Sequence, residues 1–283
     1  MGNLKRDYTN RATPATVKDD LGGSIMEEKD VLNKLKQKGF SLEVQVCESL
    51  EADGWTVTAQ DYYLDQDQGK ARTVDLTATK RFEFEKWFSK QPLFDFLDTT
   101  LVVECKKSVN PIVFYMTRKG ALFQEEKWRA GIVKYLLSPR IAMPMIEISD
   151  RFLSKSHYYA HDITKASVNF RVLNGEDFFF ESLNQVLKAF KFNFERTEHS
   201  LRTLSEGGLL FHYPIVILEG TMFEYESGEV HRTKYVQYQR QGVSRYNESF
   251  VVDVLDNTFL RDFLGILKNE HDLLRASMSR QVL

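Results

Sequence analysis

Cysteine is scarce, with only Cys47 and Cys105 in a chain of 283 residues. So few thiols exclude a disulfide scaffold and fit a reducing, cytoplasmic compartment. Both fall on apolar faces of expected elements and read as small core residues, not as a catalytic thiol. Long apolar runs are also missing. Stretches such as Phe211 to Leu218 are far shorter than the ~20 residues that cross a bilayer as a helix, so no membrane association is expected. Met1-Gly2-Asn3-Leu4-Lys5-Arg6 has no apolar core behind it, and no secretory leader is expected. An excess of charge of one sign is absent too, the formal net charge being −2. Composition alone does not mark a nucleic-acid binder; the distribution of charge carries more information.

What is there suits a globular protein. A hydrophobic content of 42% with 28% charged residues is enough for a real core. The length suggests two average domains, or one with a large extension. From Ser41 to Gly69 there is no Lys or Arg, while Glu43, Glu48, Glu51, Asp53, Asp61, Asp65 and Asp67 are all acidic. From Lys106 to Arg140 the balance reverses: Lys106, Lys107, Arg118, Lys119, Lys127, Arg129, Lys134 and Arg140 meet only Glu125 and Glu126. An acidic pole able to hold a metal beside a basic stretch able to hold phosphate is the pattern a nuclease needs. Solvation of a helix explains the same basic residues.

The stretch from Arg72 to Lys107 organises the rest. Its first strand-like run, Thr73 to Ala78, alternates so that Val74, Leu76 and Ala78 point one way and Asp75 the other. In the second run Leu101, Val103 and Cys105 share one face, and Glu104 and Lys106 share the opposite one. Paired, the strands bring Asp75, Glu104 and Lys106 to one polar spot, a set suited to a hard divalent cation and an activated water. A third acid lies upstream. On a helical wheel Phe40, Leu42, Val44, Val46, Cys47 and Leu50 form a broad apolar arc, with Glu43 near its middle. A buried carboxylate without a partner costs several kcal/mol, so a cation or donor should await Glu43.

A helix with Glu43, then Gly54-Trp55 and a strand, then Arg72-Thr73-Val74-Asp75, then hydrophobics ending in Glu104-Cys105-Lys106 resembles the PD-(D/E)xK nucleases of the restriction-endonuclease-like superfamily. The resemblance covers Phe40 to Ser108, and Val74 stands where the family name has proline. It implies a metal-dependent endonuclease with a mixed sheet flanked by helices. Asp75, Glu104 and the Cys105 backbone carbonyl would be ligands of Mg²⁺, or of Mn²⁺ in its place. Lys106 would orient or activate the attacking water, and Glu43 would support the site or join the ligands. The superfamily's recB-like branch carries Gln and Tyr four apart on a helix; here Gln124 is followed by Trp128, so that branch is not assigned and a cut within a strand is favoured.

In chain order, residues 1–23 read as poorly structured, with Thr13-Pro14 and Gly22-Gly23. Residues 24–140 form the expected nuclease core. A first helix is predicted from Ser24 to Gln37, with Ser24 and Glu27 as a capping box. The Glu43 helix runs to Ala52, a strand from Trp55 to Gln60, and a loop from Tyr62 to Lys70. The Asp75 strand runs to Glu85, an irregular segment passes through Trp87 and Pro92, and Gln124 to Leu137 reads as a helix. Residues 141–283 form an extension packed on or continuing the core. Within it, Leu173 to Phe194 has core-helix spacings, and strands are predicted at Tyr213 to Leu218, Thr221 to Glu226, Val230 to Arg240 and Ser249 to Leu255. A closing helix spans Asn257 to Arg275. Asp253 lacks a following Lys, so this half does not repeat the catalytic motif.

His157 and His161 could form a zinc pair on a helix face, but no other Cys or His stands nearby to complete it. Arg232, Lys234, Tyr238 and Arg240 would share one strand face and could grip a phosphate backbone, as could Lys107, Arg118 and Lys119. The expected partner is nucleic acid, DNA first. The rival expectations are a catalytically inactive nuclease-fold module that binds nucleic acid or a protein, and a ligand-binding α/β protein whose charged strand ends are merely solvated.

Overall fold

The run from Phe96 to Lys107 is buried along nearly its whole length, on both faces, which only a strand at the centre of a covered sheet can satisfy. The computed structural model describes residues 29–30, 40–83, 96–118, 133–136, 165–175, 178–201, 208–241 and 249–279. In it the chain is an α/β protein with one large mixed sheet and few helices. Helix α1 (Phe40–Ala52) leads into strands β1 (Thr56–Asp65), β2 (Lys70–Glu83), β3 (Phe96–Lys107), β4 (Ile112–Arg118), β5 (Val133–Leu136) and β6 (Lys165–Val172). Helix α2 (Phe178–Leu201) follows, then β7 (Gly208–Glu219), β8 (Met222–Glu226), β9 (Glu229–Thr233), β10 (Tyr235–Gln241) and β11 (Ser249–Asp256). A 3-10 turn (Asn257–Phe259), capped by the Asp256 side chain on the Thr258 N–H, opens α3 (Leu260–Ser279).

The strands form an 11-stranded sheet ordered β1-β2-β3-β7-β11-β10-β6-β4-β8-β9, with β5 on β7. The β1–β2–β3 meander is antiparallel. Strand β7 lies parallel to β3, from Phe96↔Gly208 to Lys107↔Glu219. The alternation of β3 divides the core. Leu97, Leu101, Val103 and Cys105 pack with Leu42, Val46 and Leu50 of α1 and Phe263 and Leu267 of α3. Val102 turns to the other cluster, with Leu183, Val186, Leu187 and Phe190 of α2.

Several expectations change. The loop predicted from Tyr62 to Lys70 is mostly strand: β1 runs through Asp65 and turns within 66–69. Asp65 explains why, because its buried carboxylate accepts from the Asp67 and Gln68 N–H groups and from Lys188 at 3.0 Å. Despite its burial, the Lys188 ammonium and those N–H groups hold its pKa below the usual value. The end of the helix predicted to Leu137 is instead β5, antiparallel to β7; a four-residue apolar run takes its conformation from the edge it pairs with. The single strand predicted over Val230 to Arg240 is two, β9 and β10, divided at Lys234. On α1 the apolar arc is narrower than the wheel suggests, since Phe40 and Val44 are 49% and 54% exposed. Most of the first helix, the segment through Trp87 and Pro92, Gln124 to Trp128, and His157 and His161 lie outside the described residues. Among the described residues no helix is long and apolar enough to cross a membrane.

Candidate active site

The ladder between β2 and β3 runs from Glu83↔Phe96 to Leu76↔Val103 and stops there, while β2 continues on β1 as far as Asp65↔Lys70. Past Leu76 the two strands part. The Cys105 N–H, which loses its place in the ladder, instead donates to Asp75 Oδ2 at 2.7 Å. Alternation inverts at the same point: Leu76 and Ala78 pack under α1, whereas Val74 joins Tyr63 and Val102 on the opposite side. Strand β1 inverts opposite it, Val57 lying with the α1 cluster and Tyr63 with the α2 cluster. The residue between them, Gln60, has φ 52°, a left-handed backbone that side chains other than glycine rarely adopt without a reason. The expected grouping of Val74 with Leu76 and Ala78 is therefore corrected. A regular strand would have kept Asp75 in the ladder; the irregular one releases its carboxylate to the β3 backbone.

Into this gap come the acids. Glu43, half-buried on α1, accepts from Gln60 Nε2 at 3.1 Å. Glu104 is buried, 4% exposed, and its Oε2 has no hydrogen-bond partner. Burial, then the neighbouring Asp75 and Glu43 carboxylates, push its pKa up to about 9 against the pull of Lys106. Burial likewise raises Asp75, opposed by the Cys105 N–H, the Lys106 ammonium and the Gln60 amide. Glu43 is raised by burial and by Asp75. The structure thus brings Asp75 and Glu104 within electrostatic reach of each other and of both Glu43 and Lys106. Cys105 is buried and Cys47 half-buried, and burial is the chief cause raising both thiols, so neither is poised as a thiolate nucleophile.

The four aspartates of the acidic pole are ion-paired. Asp53 pairs with Lys80, Asp61 with Arg196, Asp65 with Arg72 and Lys188, and Asp67 with Lys188. Asp61, Asp65 and Asp67 hold the β1–β2 hairpin to α2, and Asp53 ties the end of α1 to β2. The lysines also divide. Lys107 is tied to Glu219 at 2.7 Å, which removes it from the free phosphate-binding groups. Lys106, half-buried, has no ion pair or hydrogen bond among the described residues. The end of β3 is fixed by the Ser108 N–H on the Glu219 carbonyl at 3.0 Å and by Gly220, where a Cβ would meet the Ser108 carbonyl at 2.7 Å.

A divalent ion is consistent with this donor set on one observation and bounded by another. The orphaned Glu104 oxygen is a buried acceptor lacking a partner, which a cation would supply. Among the described residues no group of three or more His, Cys, Asp or Glu could hold a metal ion by itself. Glu43, engaged with Gln60, does not close a three-acid cage with the other two. A small, strongly hydrated ion such as Mg²⁺ keeps several waters and takes one or two carboxylates, which is what Asp75 and Glu104 offer.

Sequence reading missed Gln60, whose only sign was its place opposite Asp75 in the strand before it. Gln60→Gly should relieve the left-handed backbone, leaving the melting temperature equal or higher. Loss of the amide should weaken Mn²⁺ binding several-fold by isothermal titration calorimetry. Wild-type affinity in that variant would show that the amide positions nothing. The reading also missed a buried polar group beneath α3, in which Tyr213 donates to Glu270 and Tyr235 to Asp253, each at 2.7 Å. Their signal was a tyrosine within each apolar strand, and they are structural.

Of the other basic candidates, Arg118 ends β4 and Arg240 lies in β10, with side chains outside the described set, as is all of Lys119. Arg232 and Lys234 are exposed. They do not share a strand face with Tyr238, which is buried against Phe170 in the core. Compared with family models, curated proteins and solved structures, the chain matches none of them, so the meaning of the site rests on its own residues.

Proposed function

We propose that the chain is a divalent-metal-dependent nuclease that hydrolyses phosphodiester bonds within DNA, on a restriction-endonuclease-like core. The observation that carries this reading is the buried Glu104 carboxylate, one oxygen of which has no hydrogen-bond partner, set beside Asp75 and within reach of Lys106. A protein gains nothing in stability from such an acid; it keeps one where a ligand repays the cost. Asp75 and Glu104 would hold Mg²⁺, which supplies Lewis-acid polarisation of the scissile phosphate and a lowered pKa for bound water. The chain's own groups do the remainder. Glu43 and the Gln60 amide hold the acidic cluster in place, the Cys105 N–H orients Asp75, and Lys106 keeps an ammonium near the attacking oxygen, favouring its hydroxide form.

Purified protein incubated with supercoiled and linear DNA, and with RNA, in Mg²⁺, Mn²⁺ or EDTA should cut DNA only with metal. Asp75→Ala should lower that cleavage by at least about 10³-fold while circular dichroism stays unchanged. Full activity in that variant would remove the site. The absence of a three-acid cage among the described residues favours one rival, a nuclease-fold module that binds nucleic acid without turnover. Its signature is binding that metal does not change, with no cleavage of any substrate.

A further inference from the structure

Strands β9 and β10 are separated by Lys234 alone, yet along the ladder they are linked only through β8, β4 and β6. Four strand spacings would span ~19 Å in a flat sheet, whereas Thr233 and Tyr235 can stand no more than ~7 Å apart. This part of the sheet must therefore curl. Its inner side carries Ile112, Phe114, Phe170 and Met222, packed with Phe179 of α2. Its outer side is set by register. One row across four strands is Arg171, Val113, Phe223 and Arg232, and the next is Asn169, Tyr115, Tyr225 and Val230.

That outer face is unusual in its chemistry. Tyr115 and Tyr225 meet edge to face at 5.5 Å between ring centres, and Tyr225 and Val230 are 37% and 55% exposed. Arg171 and Arg232 are exposed at opposite margins and make no ion pair among the described residues. The glutamates of β8 and β9 alternate to the other side, so the two rows hold two cations and no anion. The arginines close the two ends of one row, on β6 and β9, with Val113 and Phe223 between them.

We propose that this face binds single-stranded nucleic acid, with bases stacked on Tyr225 and Phe223 beside Tyr115 and phosphates on Arg171 and Arg232. Aromatic rings offer every base a π-face, and arginine at the margins supplies the sequence-independent attraction. Val113 follows Lys106 by seven residues, at most ~25 Å of chain, so a strand held here can lead toward the acidic site. The inference rests on the nuclease reading only for why such a ligand would be held; its test needs neither metal nor cleavage.

The test is fluorescence anisotropy in EDTA with labelled oligothymidylate, a duplex of equal length, and polyglutamate as competitor. Expected is tighter binding of the single strand than of the duplex. Tyr225→Ala should weaken it roughly tenfold and Tyr225→Phe should preserve it. The double variant Arg171→Ala/Arg232→Ala should lower the slope of log Kd against log salt by ~1.4, two phosphate contacts' worth. Lys268→Ala on α3, exposed and off this face, should change neither. Equal affinity for duplex, displacement by polyglutamate as readily as by oligothymidylate, or equal losses in Lys268→Ala would each overturn the proposal. Strand binding with these properties but no metal-dependent cleavage would overturn the nuclease reading and leave this one standing.

Discussion

Replacing Glu104 with glutamine should abolish metal-dependent cleavage and, in the same molecule, make the fold harder to unfold at alkaline pH. The two effects share a cause. With its folded pKa pushed up to about 9 from an ordinary 4.5, Glu104 is protonated in the metal-free native state at neutral pH, while the unfolded chain ionises it. Below pH 4.5 both states hold the proton and the group adds no pH dependence. Between 4.5 and 9 the native state binds the extra proton, so stability falls as pH rises, and above 9 the loss levels off. A neutral amide of the same shape removes that loss. Urea unfolding in EDTA should show Glu104→Gln within about 1 kcal/mol of wild type at pH 5 and more stable by on the order of 3 kcal/mol at pH 8.5. That is roughly 6–10 °C in Tm. Mn²⁺ at about 100 times its Kd should stabilise the wild type by ~2.7 kcal/mol and the variant not at all. Since the ion must displace the Glu104 proton, wild-type affinity should climb between pH 7 and 9 and then flatten. A pH-independent stability difference between the two proteins would show that Glu104 is not the strained acid described here.

The parts of this arrangement that were legible in the sequence are those governed by a repeating period. Alternation placed Leu101, Val103 and Cys105 on one side of β3 and Glu104 on the other, as found. The spacing of Phe190, Leu187, Leu183 and their neighbours marked α2 as a core helix. What was not legible depends on where a period breaks without a glycine or proline to announce it. Nothing at Gln60 signals a left-handed residue, and nothing at Asp75 signals that β2 changes sides, because both follow from the separation of two ladders. Lys234, equally ordinary, divides β9 from β10 only because β8 and β11 compete for the two halves. The acidic run before Gly69 was legible as charge but not as structure. Two of its four cations, Lys188 and Arg196, come from a helix more than a hundred residues later, and no local pattern links them. The same pairing leaves the candidate site with fewer acids, and those acids less compensated, than composition implied.

Lys106 is where binding and turnover can be separated. It follows Glu104 by two residues on β3, so the pleat places both on one side, and its ammonium draws down the proton affinity of both Asp75 and Glu104. Lys107, one residue on, is held by Glu219 and serves as the internal control. Lys106→Met keeps the apolar stem and deletes the charge. Metal should still raise the melting temperature, but at higher pH than in wild type, because the carboxylates lose the cation that favoured their charged form. DNA cleavage should fall by roughly 10²–10⁴-fold, the usual worth of a positioned proton-transfer group. Lys106→Arg then decides between two roles for the ammonium. Guanidinium stays charged at all accessible pH and cannot exchange a proton, so it should restore the pH at which metal binds without restoring turnover. Recovery of both would mean that the lysine acts by its field alone, and loss of neither in Lys106→Met would place the chemistry elsewhere.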